Sequence, residues 1–238
     1  MTSNTRTVAF FGASGGVGLA ALKSSLAAGL QCTALCRTPS KLEAIFPAAS
    51  IPNLKIIKGD AHDITPVSEY GNLVDMIIST IGSRPVGWKM DLEDPECCRK
   101  GASVLLEAIA QLRSQGATGK PYIVAFSTTG LSRFGRDYPL AMFPIYVWLL
   151  HAAHEDKRIM EDKFTASGET FTIVRASILN DGETKKTVRV GIEDPKAGRE
   201  STEIGYFISR EDSGRWTAEN LILKKPQKYE NKILSITT

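Results

Sequence analysis

Apolar residues in this chain gather in short unbroken runs, and between the runs lie stretches with helical spacing. Thr7–Phe11 (TVAFF), Gln31–Cys36 (QCTALC), Leu54–Lys58 (LKIIK), Val74–Ser79 (VDMIIS), Tyr122–Phe126 (YIVAF) and Thr170–Arg175 (TFTIVR) are such runs. Continuous rather than alternating apolar character is expected of strands buried on both faces. Val17–Ala28 reads as a helix closed by Gly29, a residue suited to the left-handed cap. Pro39–Phe46 reads as a short helix stopped by Pro47, and Ile64–Tyr70 as another. Asp94-Pro95 supplies a cap and a first-turn proline for a helix reaching about Gln115. Ala141–Ala166 is mostly helical in pattern after Pro144. Weaker signals place strands at Thr187–Ile192, Gly205–Ser209 and Lys232–Ile236, and a helix at Arg210–Leu221.

The alternating order predicts an α/β fold: a doubly wound, mostly parallel sheet with right-handed crossovers, helices on both faces and a small C-terminal substrate-side region. The 238 residues contain no Pro/Gly/Ser-rich linker, so a single domain is expected. Substrate-pocket elements are expected at about 83–94, 130–155 and 177–205, in the loops at the carboxyl ends of the strands.

The most informative local feature is Gly12-Ala13-Ser14-Gly15-Gly16-Val17-Gly18. It lies between a buried strand and an apolar helix, the context that gives a glycine triplet meaning. Gly12 permits the tight turn, Gly15 lets the backbone approach a diphosphate, and Gly18 lets helix and strand pack closely. The amides of Ser14, Gly15, Gly16 and Val17 then face an anion at a helix N-terminus. The second strand selects the dinucleotide. An acid at its tip would bind the ribose hydroxyls of NAD(H). Here Arg37 holds the tip and Lys41 follows, a pair suited to a 2′-phosphate. NADP(H) is therefore expected over NAD(H).

Together these pieces resemble the NmrA-like group of atypical short-chain dehydrogenase/reductases, near the flavin reductase/biliverdin-IXβ reductase branch. The Gly12–Gly18 turn and the Arg37/Lys41 pair match in order and spacing, as do Lys58-Gly59-Asp60-Ala61 and Ser79-Thr80-Ile81-Gly82. So do Phe126-Ser127-Thr128-Thr129, Ser167-Gly168 with Thr172–Ser177, and Ile208-Ser209-Arg210-Glu211-Asp212. The resemblance implies that Asp60 and Ala61 pack on the adenine. It implies that Thr80, Ile81 and Gly82 pass under the ribose, with Ser127 and Thr128 near the nicotinamide. Ala176, Ser177 and Ile178 would border its carboxamide.

One departure bears on the chemistry. The wider family uses a Tyr-x-x-x-Lys pair, in which Tyr protonates the substrate carbonyl. None of the six tyrosines here has a lysine four residues on. By resemblance, Lys157 takes the lysine position and Ala153 the tyrosine position. Ser127 is the first candidate to hydrogen-bond a substrate oxygen, with Lys157, His154 and Tyr138 as further catalytic candidates. His151 and His154 share a helix face, and Lys157 stands in the charge run Glu155–Arg158. Phe134, Tyr138, Phe143, Tyr146, Trp148 and Trp88 would wall an apolar pocket for a flat substrate, unless they simply pack on the core.

The leading expectation is an NADPH-dependent reductase of a hydrophobic carbonyl, enone, imine or flavin-like molecule. A non-redox isomerase or cyclase on the same scaffold, and an NADP(H)-binding regulator, remain alternatives. A net charge of +3 with dispersed cations argues against nucleic acid. The longest apolar stretch, Leu140–Leu150, is about half a membrane span. Cys32, Cys36, Cys97 and Cys98 show no metal-ligand spacing, so no metal is expected. No signal-peptide pattern precedes the first strand, and a cytoplasmic monomer or homodimer is expected.

Overall fold

The computed structural model describes residues 6–47, 51–63, 74–87, 91–224 and 227–238. The helix expected at Ile64–Tyr70 and the pocket residue Trp88 lie outside them. The chain alternates as expected. It opens with β1 (Thr7–Phe11), α1 (Gly16–Ala27), β2 (Gln31–Cys36), α2 (Ser40–Glu43), β3 (Leu54–Lys58) and β4 (Met76–Ser79). A small pair, β5 (Pro85–Val86) and β6 (Asp91–Leu92), precedes α3 (Cys97–Ser114), β7 (Tyr122–Thr128), α4 (His151–Ala166) and β8 (Thr170–Ala176). The remainder is β9 (Ile178–Asn180), β10 (Arg189–Asp194), β11 (Gly198–Ser201), β12 (Phe207–Ser209), α5 (Arg210–Thr217) and β13 (Lys232–Thr237).

Nine strands form one sheet in the order β11-β10-β13-β8-β7-β4-β1-β2-β3. The seven from β13 to β3 are mutually parallel, and β10 and β11 add an antiparallel edge. Strand order reverses at β1, with β2 on one side and β4 on the other. Such a switch point opens a crevice at the carboxyl ends of the strands. Both sheet faces are covered. Phe10, Val124 and Val174 face one apolar cluster with Leu22 of α1, and Phe11, Ile123 and Ile173 face another with Leu105 and Met160. Burying both faces explains why the strand runs read as continuously apolar.

Three expected elements differ. First, α3 starts at Cys97 rather than at Pro95. Asp94 makes a local turn instead, its carboxylate accepting from the Glu96 amide at 2.9 Å. The cap comes from α4: buried Asp156 accepts from the amides of Cys98 (2.8 Å) and Arg99 (2.9 Å). Second, the helix expected over Ala141–Ala166 is broken into a 3-10 turn at Leu140–Met142, a π turn at Ile145–Leu149, and α4. Pro144 has no amide to donate, so the chain restarts there, and Leu150 bonds Ile145 across the widened turn at 3.0 Å. Third, β12 leaves the main sheet and pairs with β9. No helix among the described residues is long and apolar enough to cross a membrane.

Candidate functional site

The glycine turn rests on β4. Gly12 has φ +89°, and a Cβ there would lie 2.8 Å from the Thr80 carbonyl carbon. A Cβ on Gly18 would lie 2.3 Å from Thr80 Oγ1. That hydroxyl donates toward the carbonyls of Phe11 (3.2 Å) and Gly12 (3.1 Å). Thr80 thus buttresses the turn from beneath, and only glycine fits over it. Gly15 is the opposite case: its Cβ position has no neighbour within 4 Å. No described side chain caps α1, and its first turn carries no acid. The amides there are free to meet an anion.

Above this turn lies a cleft of about 420 Å³. Gly15, Gly16 and Val17 form one side, and the β4 exit brings Thr80, Ile81 and Gly82. Ser127 and Thr128 enter from β7, Ala176, Ser177 and Ile178 from the β8 exit, and His154 and Lys157 from α4. Residues from six separate stretches of sequence, counting Arg210, meet in one hollow. Ala153 lines it one turn before Lys157, together with Ser83, Leu150, Leu179 and Arg210. Arg210 was not anticipated as a site residue, although its Ile208–Asp212 segment stood out. Its stem passes 3.4 Å from the Cβ position of Gly16, and its guanidinium is held by Asp181 at 2.7 Å.

A second hollow, of about 160 Å³, lies at the tip of β2. Ser14, Arg37 and Lys41 line it with Arg84 and Glu93. Arg84 was also missed, since it lies far from the other two in sequence and only the fold adds it to the cationic group. Asp60 and Ala61 line neither hollow. Asp60 accepts from the His62 amide at 3.0 Å, and Ala61 packs against the core beside Ile57 and Ile81.

Among the catalytic candidates, Lys157 is oriented by the Phe126 carbonyl, to which Nζ donates at 3.1 Å. Ser127 is only 6% exposed and its Oγ has no hydrogen-bond partner. His154 is 7% exposed and its Nε2 is likewise without a partner. Burial lowers the pKa of that imidazole to about 4, helped by the positive charges of Arg158, Lys157 and His151. The Tyr146 backbone carbonyl accepts from the ring and partly offsets the fall. Unpaired buried polar atoms are uncommon in folded proteins, and a cleft is where a ligand can complete them.

Tyr138 does not reach the main cleft. It lines a neighbouring hollow, stacked on Tyr146 with ring centres 4.4 Å apart. Of the rest of the expected aromatic wall, Tyr146 lines that same hollow, whereas Phe134, Phe143 and Trp148 are 43%, 46% and 77% exposed.

A glycine turn at the switch point, opening into a cleft walled by strand exits, defines a Rossmann-type dinucleotide-binding protein. The chain belongs to the NAD(P)H-binding family, whose profile matches residues 12–222. It is 36% identical to the reductase pytE of Aspergillus terreus, with 100% of both chains covered. It is 28% identical to the oxidase pynE of Aspergillus niger, covering 97% of this chain and 98% of that one. Among solved structures it is similar to a short-chain dehydrogenase/reductase of Veillonella parvula in complex with NADP. That match has TM-score 0.72 and 12% identity, covering 98% of this chain and 94% of the other. It is also similar to ChuY, an anaerobillin reductase of Escherichia coli, with TM-score 0.68, 18% identity and coverage of 97% and 96%. At such identities the structural matches speak for the fold.

Proposed function

We propose that the chain is an NADPH-dependent reductase of a hydrophobic carbonyl, enone, imine or flavin-like acceptor. One observation carries the reading: a single cleft runs from the uncapped N-terminus of α1 to the unpaired hydroxyl of Ser127. The first end suits a diphosphate and the second a reacting oxygen. The similarity to a reductase over the whole chain supports it.

When bound, the reduced nicotinamide supplies the hydride. The chain's own residues do the rest. The amides of Gly15, Gly16 and Val17 bind the diphosphate, aided by the positive end of α1. Arg37, Lys41 and Arg84 surround the 2′-phosphate of the adenosine, and three cations outweigh the lone carboxylate of Glu93. Lys157, steered by Phe126, orients a ribose hydroxyl. Ser127 donates to the substrate oxygen and stabilises the negative charge that grows there. Ala153 offers no proton where the wider family places tyrosine, so the proton reaches the product from water. Two cleft-lining residues with an unpaired buried polar atom, Ser127 and His154, favour a small-molecule enzyme over a regulator that only senses the dinucleotide.

The test is to mix the protein with NADPH and a panel of flat, hydrophobic acceptors and follow the absorbance of the reduced nicotinamide. Turnover of at least one acceptor is expected, and none across a broad panel would count against the reading. Arg37→Asp should weaken NADP(H) binding by about ten- to a hundredfold in calorimetric titration, since a charge-assisted pair is lost. NAD(H) binding should change little. Equal losses would show that Arg37 does not read the phosphate.

A further inference from the structure

The main cleft does not end at α4. His154 lines both that cleft and a second hollow of about 190 Å³. The inner wall of the second hollow is the Tyr138–Tyr146 stack, whose rings are inclined by only 6°. The Tyr146 hydroxyl is already paired with Thr129 Oγ1 at 2.8 Å, so it does not compete for a ligand there. His151, Glu155 and Arg158 also line this hollow. Their charges oppose one another, which gives a net anion or cation little advantage there.

The polar atom at the junction is therefore the one that selects. His154 Nε2 is buried and unpaired. A neutral imidazole has one donor and one acceptor nitrogen. In the tautomer that carries its proton on Nδ1, Nε2 presents a lone pair. A lone pair is completed only by a ligand that brings a hydrogen.

We propose that this hollow is an annex of the substrate site that takes the hydroxyl- or amide N–H-bearing part of a planar, conjugated substrate, with His154 Nε2 accepting that hydrogen. The proposal rests on the reductase reading for its substrate, but the annex is defined by geometry alone. His154 is a specificity-determining residue in this arrangement, while Ser127 meets the reacting oxygen. The substrate then spans two sites, with its reducible carbon beside Ser127 and its protic end beside the Tyr138–Tyr146 stack.

The experiment compares two probes, beta-naphthol and its methyl ether, titrated calorimetrically into the full chain with and without NADP+. They share a planar ring, and a methyl group in the ether replaces the one hydrogen that Nε2 would accept. Beta-naphthol should bind about five- to tenfold more tightly than the ether, the worth of one buried hydrogen bond. His154→Phe should abolish the preference, and His154→Gln, whose amide oxygen accepts, should retain part of it. Equal affinities in the wild type would overturn the proposal, as would a preference that survives in His154→Phe. NADP+ titration of each variant checks its fold, and the His154→Gln comparison decides if the Phe variant does not fold. Wild-type protein that ignores NADP+ but prefers beta-naphthol would overturn the function proposed above and leave the annex standing. Binding of NADP+ with no preference between the probes would do the reverse.

Discussion

Ser127 and Arg175 stand opposite one another on adjacent strands, both buried, and the protein treats them in contrary ways. The Arg175 guanidinium is fully engaged. It grips Glu161 with two bonds of 3.0 and 2.7 Å, meets Glu193 at 3.0 Å, and lies 3.8 Å from Asp137. Burial alone would favour losing its proton, but the surrounding carboxylates hold it above the ordinary arginine range. Ser127, across one strand spacing, has no partner. The difference separates structure from site. At Arg175 the fold satisfies a buried polar group several times over. The groups it leaves unsatisfied at the cleft, Ser127 and His154, are those a ligand would complete.

The contrast breaks most directly at Arg175. Arg175→Met leaves Glu161 and Glu193 buried without their counter-charge, so the variant should lose about 3–5 kcal/mol in denaturant unfolding. A loss well under that would mean the network is no more constrained than the cleft. His154 gives the next largest effect. Its imidazole titrates at about 4 in the folded chain against an ordinary value of 6.5. Between those values the unfolded chain binds more protons, so stability rises with pH and is lost as pH falls through the window. The loss should approach about 3 kcal/mol at the acid end. Arg158, Lys157 and His151 all repel the incoming proton, and His154→Phe should lack this component when unfolding is measured at about pH 7.5 and about pH 4.5. Ser127→Ala should change stability least, by under about 0.5 kcal/mol, because no bond is removed. Its turnover should nevertheless fall by roughly a hundredfold, as when a charge-stabilising donor is lost. If stability falls as far as for Arg175→Met, Ser127 belongs with the structural group.

Much of this arrangement is legible in the sequence. The β1–turn–α1 unit is spelled locally, because a buried strand, a tight turn and a helix start each demand their own residues within a dozen positions. Arg37 is readable for the same reason, being placed by its distance from that turn. What the sequence hides is long-range. Asp156 sits in a charge run that reads as a solvated helix face, yet it is buried under amides 57 and 58 residues away. Arg84 and Arg210 reach their hollows only when distant elements fold together. The Ile145–Leu149 turn keeps helical spacing in sequence, and only the lost amide of Pro144 and the widened backbone ring go with its splitting of the aromatics, Tyr146 buried and Trp148 exposed.

The Asp156 clasp has a mechanical consequence. Its carboxylate ties α4, which carries His154 and Lys157, to the first turn of α3. That wall of the cleft therefore moves as one body with its neighbour. A shape change that accommodates a bulkier guest would have to come from the irregular stretch between Leu140 and Leu149, which is held chiefly by Tyr146, through its bond to Thr129 and its stack on Tyr138. Variation among substrates should be written there first.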